Sequence, residues 1–169
     1  NHLFHRYLNL LVQCASRVPA ISQSSRNDFE SYAQTHHAIA PAGVSTGLPC
    51  GISPENRDLT ERPWPRSYAL FVGTVESRKN HLLALRAWQR LIELHGEDSI
   101  PDLVCIGRLG WNSAAFLREY VFTKGLNGKV SVLSTSIDDG ELARFYAHSE
   151  LTVYPSDYEG WGLPVSESL

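Results

Sequence analysis

The chain has 169 residues, 43% of them apolar and 20% charged, and a formal net charge of −3. These are the proportions of a globular domain or of parts of two, and a mildly acidic balance gives no electrostatic case for nucleic acid, so any basic patch is local. Cys14, Cys50 and Cys105 are its three cysteines and form no C-x-x-C, which speaks against a zinc site or a disulfide framework and makes a reducing compartment the default.

Residues 1–17 carry Leu3, Phe4, Tyr7, Leu8, Leu10, Leu11 and Cys14 at a spacing near 3.6, which predicts an amphipathic helix. His2 and His5 share one face of it, but without a third ligand they read as surface histidines. Val18 to Ser22 is a short strand, Ser24 or Ser25 caps a helix running to about Thr35, and Ala38 to Val44 is a second strand. From Gly43 to Arg66 glycines and prolines recur with few apolar residues between, the composition of a linker.

After the linker the rhythm becomes regular. Tyr68 to Val72 is an apolar strand ended by Gly73-Thr74, and Asn80 caps a helix with Leu82, Leu85, Trp88, Leu91 and Ile92 on one face. Leu103 to Ile106 is the next strand, closed by Gly107. A helix then starts at Asn112 or Ser113 and stops at Gly125. Val130 to Leu133 is the third strand, followed by a helix capped at Ser136 with Asp139 at its third position. Leu151 to Tyr154 is the fourth. Strands apolar throughout and alternating with helices predict an α/β fold, a parallel sheet with helices on both faces. Ligands of such sheets bind beyond the carboxyl ends of the strands. Four loops lie there: Gly73 to Lys79, Gly107 to Trp111, Ser134 to Asp138, and Pro155 to Pro164.

The last loop runs Tyr154-Pro155-Ser156-Asp157-Tyr158-Glu159-Gly160-Trp161-Gly162-Leu163-Pro164-Val165-Ser166-Glu167. Pro164 suits the first position of a helix, where its missing N–H costs nothing, and a helix start attracts anions. Glu159 and Glu167 flank it and can accept hydrogen bonds from the hydroxyls of a ligand whose phosphates approach the amides between them. Taken singly, each residue has a structural explanation: a first-turn glutamate suits the dipole, and Gly-x-Gly before proline is turn chemistry. On the first loop, Arg78 and Lys79 precede a helix start, where cations are unfavourable unless an anion is bound, and this points to phosphate. No Asp-x-Asp pair is present to hold a divalent metal, so cations and helix termini are the expected stabilisers of a leaving diphosphate.

As a set, Glu-Gly-x-Gly-Leu-Pro-x-x-Glu after a strand ending in Pro-Ser resembles the E-x7-E signature of the retaining glycosyltransferases of family 4, or group 1. Phe71-Val72-Gly73-Thr74-Val75-Glu76-Ser77-Arg78-Lys79-Asn80 is similar to that family's F-V-G-x-x-x-x-R-K-N. The resemblance covers Tyr68 to the end and, more loosely, Val18 to Gly43. It implies the GT-B arrangement of two Rossmann-like domains. Residues 1–45 would end the acceptor-side domain, 46–66 would be the linker, and 67–169 would be a truncated nucleotide-sugar-binding domain.

By the same resemblance Arg78 and Lys79 hold the donor diphosphate, Glu159 contacts the donor sugar as the transfer takes place, and Glu167 reaches the ribose. Gly73, Thr74, Gly107, Arg108, Leu133, Ile137, Gly160, Trp161, Gly162 and Leu163 complete the donor site, with no metal and no further cofactor. Thr74 departs from the family, many members of which place an arginine there, so Arg78 carries more of the load. The implied substrates are a nucleotide sugar and a saccharide or lipid-linked acceptor. The rivals are a sugar-nucleotide epimerase of the same fold and a non-catalytic nucleotide-binding module. A dehydrogenase is disfavoured because Gly73 to Lys79 lacks G-x-G-x-x-G.

No apolar run approaches the roughly 20 residues needed to cross a bilayer, and no signal-peptide pattern opens the chain. A cytoplasmic protein is expected, with peripheral association at the inner face of the membrane still open. The absence of methionine, and an end inside the helix at Pro164, predict an interior piece of a longer protein.

Overall fold

The computed structural model describes residues 2–37, 39–49, 51–52 and 58–168. The chain divides into two compact units, one of Asn1–Pro49 with Glu159–Gly162 and one of Cys50–Tyr158 with Leu163–Leu169.

In the first unit, helix α1 (His2–Cys14) and helix α2 (Gln23–His37) accompany a two-stranded parallel sheet of β1 (Arg17–Ala20) and β2 (Ala42–Ser45). The cap of α2 is Ser22, whose Oγ accepts from the Ser25 amide at 3.0 Å, and not Ser24 or Ser25. Both strands are displaced from their expected bounds, and Ala38, the expected start of the second, lies outside the described residues. Two polar side chains converge on Asn9 of α1: its Oδ1 accepts from the Tyr32 hydroxyl at 2.7 Å and lies 2.8 Å from His37 Nε2.

The second unit holds a four-stranded parallel sheet in the order β5-β4-β3-β6. Its strands are β3 (Tyr68–Val72), β4 (Asp102–Ile106), β5 (Val130–Leu133) and β6 (Leu151–Thr152). Side-chain alternation builds a core on each face, as apolar strands in a covered parallel sheet require. Ala69, Phe71, Leu103 and Cys105 meet Leu85 and Trp88 of α3 (His81–His95) and Phe116 of α4 (Ala114–Phe122). Tyr68, Leu70, Val104 and Ile106 meet Phe145 of α6 (Asp139–His148). Burial pushes the Cys105 thiol up to about 12, so it is an inert part of this packing.

The helix ends differ from the sequence reading in instructive ways. Asn80 stands immediately before α3, but with φ 63 and ψ 35 its backbone is left-handed and its side chain caps nothing. Instead Nδ2 donates to Asp157 Oδ1 at 2.6 Å; asparagine is one of the few residues that tolerate this conformation. Ser113 precedes α4 without a side-chain cap and donates to the Gly110 carbonyl. That helix ends at Phe122, before Gly125, and a left-handed turn, α5 (Lys124–Gly128), follows. Gly125 is needed inside the turn, since its φ is +60 and a Cβ there would run into the Val130 carbonyl oxygen. The N-cap of α6 sits two residues later than expected: Asp138, not Ser136, accepts from the Glu141 amide at 2.8 Å.

At the amino end of β4 lies Asp102, 1% exposed and unanticipated. Its Oδ2 accepts from Trp64 Nε1 at 2.8 Å and Arg66 Nε at 2.7 Å, and Lys129 Nζ stands 3.5 Å from Oδ1. Two donors and a second cation are what a carboxylate needs in order to be buried. The cluster ties residues 64–66 and the start of β5 to the sheet edge opposite the loops discussed next.

Candidate functional site

The chain passes from β3 to β4 to β5 in one direction and then returns to place β6 on the other side of β3. α3 and α4 pack on one face and α6 on the other, so the winding reverses between β3 and β6. In a doubly wound sheet such a reversal opens a crevice at the carboxyl ends of the two strands.

Both cations of the first loop are there. A 3-10 turn, Ser77–Lys79, follows β3. Arg78 Nη1 donates to the Tyr158 carbonyl at 2.6 Å, Nη2 donates to Glu76 Oε1 at 2.7 Å, and the Arg78 carbonyl accepts from the Asp157 amide at 3.0 Å. Lys79 is 9% exposed; its Nζ donates to the Tyr154 hydroxyl at 3.1 Å and stands 4.9 Å from that ring's centroid. The aliphatic end of Lys79 passes Gly73, where a Cβ would meet Cδ and Cε at 3.6 Å. With the Asn80–Asp157 bond, these contacts join the loop after β3 to residues 154–158 after β6.

The loop after β4 is fastened to the same segment. The Val75 amide donates to the Arg108 carbonyl at 2.9 Å and the Gly110 amide to the Val75 carbonyl at 3.0 Å. Gly107 lies so close to Gly73 that an added Cβ would strike the Gly73 carbonyl, and a Cβ on Gly110 would meet the Thr74 side-chain methyl. Gly73, Thr74, Gly107, Arg108, Arg78 and Lys79 therefore form one cluster. Leu133 is drawn to it by the bond from the Gly107 amide to its carbonyl, and Ile137 packs with Leu133 in the core on the α6 face.

The motif glutamates are placed differently. Glu167 is the last residue of the five-residue helix α7 (Leu163–Glu167), in which Pro164 is second rather than first. Its Oε2 accepts from the Tyr146 hydroxyl at 3.0 Å, and its Oε1 would touch a Cβ on Gly51. Glu159, Gly160, Trp161 and Gly162 group with the first unit, where Gly160 approaches Ser25 and Ile21, and Trp161 approaches Gly47.

Next to Lys79 the sequence hides a buried histidine. His81 is 2% exposed and stacks on Phe71 with centroids 4.0 Å apart at 11°. Burial, with the Lys79 charge adding and the Glu76 charge opposing, lowers its pKa from 6.5 to about 4. The first-turn position gave no hint of this; Phe71 beneath and Phe116 beside it do. Because the folded chain holds His81 neutral, the unfolded chain binds the extra proton between about pH 6.5 and 4. Stability should thus be level above pH 6.5 and fall as pH drops through that window, by up to about 1.4 kcal/mol per pH unit. Urea unfolding from pH 7.5 to 4.5 checks it: His81→Phe, which keeps a ring on Phe71, should remove this slope, and an unaltered slope would assign it to other groups.

Among the described residues no three His, Cys, Asp or Glu side chains come together as a metal site, and no helix is long and apolar enough to cross a membrane. His2 and His5 lie exposed on α1.

Comparison with known proteins agrees with this arrangement. The serotype-specific mannosyltransferase WbdA of Escherichia coli is 29% identical over 180 aligned positions, covering 98% of this chain and 22% of WbdA. The O-antigen chain mannosyltransferase B of Escherichia coli is 36% identical over 104 positions, 62% of this chain and 26% of that protein. The chain thus spans about a fifth to a quarter of the curated relatives it matches first. Among solved structures, Anabaena Alr3699/HepE in complex with UDP and glucose superposes with a TM-score of 0.69 at 17% identity, over 99% of this chain and 46% of that one. This places the α/β fold among the GT-B glycosyltransferases. The sequence profile described as "Glycosyl transferases group 1" matches residues 53–169, and the chain belongs to that family.

Proposed function

We propose that this chain is the donor-binding part of a hexosyltransferase that moves a mannose- or glucose-type residue from a nucleoside-diphosphate sugar to a saccharide or lipid-linked acceptor, with retention of anomeric configuration and without a metal. The observation that carries the reading is the position of Arg78 and Lys79 at the reversal of the winding between β3 and β6, where open α/β sheets bind ligands. The nearly buried Lys79 ammonium, with the Arg78 guanidinium partly balanced by Glu76, leaves net positive charge where a diphosphate leaves, and such preorganised charge stabilises the transition state more than the ground state.

In this reading Gly73, Thr74, Gly107 and Arg108 form the floor and near wall of the donor site. Leu133 and Ile137 border the base, Glu167 takes the ribose, and Glu159 with Gly160, Trp161, Gly162 and Leu163 serves the sugar and phosphates. Mannose is favoured over other hexoses by the two mannosyltransferase relatives. A cytoplasmic place, against the inner face of the membrane if the acceptor is lipid-linked, follows from the substrates. The domain division at 45 and 66 belongs to the same proposal.

The full-length protein should transfer hexose from one member of a panel of GDP-, UDP- and ADP-sugars, and activity should survive exhaustive EDTA treatment. Loss of activity restored by manganese or magnesium would move leaving-group stabilisation from Arg78 and Lys79 to a metal. Conversion of the donor sugar alone, with no acceptor product, would favour the epimerase.

A further inference from the structure

Trp111 is not part of the motifs, yet its placement is unusual. It is 71% exposed, while its indole N–H donates to Glu76 Oε2 at 2.6 Å. The other oxygen of that carboxylate holds Arg78, and the Glu76 side chain is only 10% exposed. The loop carrying Trp111 is itself fixed by the Val75–Arg108 and Gly110–Val75 backbone bonds, and residues 75 and 109 pair as an isolated parallel bridge. The indole is therefore anchored at its polar edge and open on its faces. A tryptophan that served packing alone would be turned inward, since burying its large apolar ring is its main contribution to stability. Holding it outward by a shielded carboxylate suits a ring that receives another ring.

Since one carboxylate bridges the two donors, the indole N–H and the Arg78 guanidinium lie less than about 8 Å apart. A hexose joined through its anomeric oxygen to a phosphate at Arg78, or a base joined to that phosphate through a ribose, spans that distance. We propose that Glu76 is a positioning residue that sets Trp111 as a stacking platform for a ring carried by the diphosphate, either the nucleobase or the hexose. This rests on the reading of Arg78 as a diphosphate ligand. Flat faces of bases and the C–H faces of hexoses both stack on indole, and such stacking is tolerant of which ring is offered.

Calorimetry on the full-length protein tests it with inorganic pyrophosphate, GDP, UDP, GDP-mannose and UDP-glucose as probes. Trp111→Ala should weaken the ring-bearing ligand that the wild type prefers by about tenfold or more and leave pyrophosphate unchanged. Trp111→Phe, which keeps a ring but loses the N–H that Glu76 holds, should recover little of the loss. Glu76→Ala should repeat the Trp111→Ala loss and also alter pyrophosphate affinity through Arg78. A loss shared by the nucleoside diphosphate and its sugar identifies the base as the stacked ring; a loss confined to the nucleotide sugar identifies the hexose. Unchanged affinities in Trp111→Ala, or an equal loss for pyrophosphate, would overturn the platform while leaving the diphosphate site standing. If the wild type binds none of these five probes and neither ADP nor ADP-glucose, the proposed function fails and the platform with it.

Discussion

Replacing both Arg78 and Lys79 with alanine in the full-length protein should weaken nucleoside-diphosphate binding by about 3 kcal/mol or more, the combined worth of two charge-assisted contacts. The two cations should not contribute alike. Lys79 is nearly buried over the Tyr154 ring, where the surroundings screen its field poorly, whereas Arg78 shares its guanidinium with Glu76 and the Tyr158 carbonyl. Lys79→Ala alone should therefore cost more affinity than Arg78→Ala alone. Calorimetry on the single and double variants decides it, with thermal unfolding as a check that residues 154–158 keep their place. Unchanged affinity in the double variant would remove the diphosphate from this crevice.

Glu159→Gln and Glu167→Gln should fail in different ways. If Glu159 faces the sugar as it becomes cationic, its charge matters chiefly in the transition state, so turnover should fall by about a hundredfold while diphosphate affinity hardly changes. If Glu167 holds the ribose, its variant should weaken the free diphosphate and the nucleotide sugar together. The Tyr146 hydroxyl already donates to Glu167, so Tyr146→Phe serves as a control for a carboxylate that merely loses its support. Equal effects of the two glutamine variants on affinity and on turnover would show that the pair supports the loop and does not divide the ligand between sugar and ribose.

Much of the second unit could be read from residue order because its strands are short apolar runs, two of them closed by Gly73 and Gly107. Tyr68 to Val72 and Val130 to Leu133 fall where the apolar pattern puts them, since nothing else in the neighbourhood can be buried on two faces. Helix starts were less legible: Ser136 and Asp138 are both good caps, and only the Glu141 amide, fixed by the packing of α6, decides between them. Asn80 is ambiguous for a similar reason, because a left-handed asparagine and a capping asparagine look alike in sequence. Within the candidate site, the place of Arg78 and Lys79 on the loop after β3 was visible in the sequence, because Gly73 ends that strand six residues before Lys79. The roles of Glu76, His81, Asp102 and Trp111 were not, because each depends on a partner distant in the chain or on a burial that no local pattern announces.

Gly107 bears on how variants of this protein should be interpreted. It brings no charge or hydrogen-bonding side chain to the donor site whose floor it helps form, and it lies 29 residues from Arg78 in sequence. Yet a single methyl group added there has nowhere to go except into the Gly73 backbone, from which the loop bearing both cations departs. A screen for loss of function would return Gly107→Ala beside Lys79→Ala with an indistinguishable phenotype, one by shifting the scaffold and the other by removing the charge. Severity of phenotype is thus a poor guide to chemistry in this crevice, and a residue's proximity to the reacting atoms has to be established by ligand-resolved measurements.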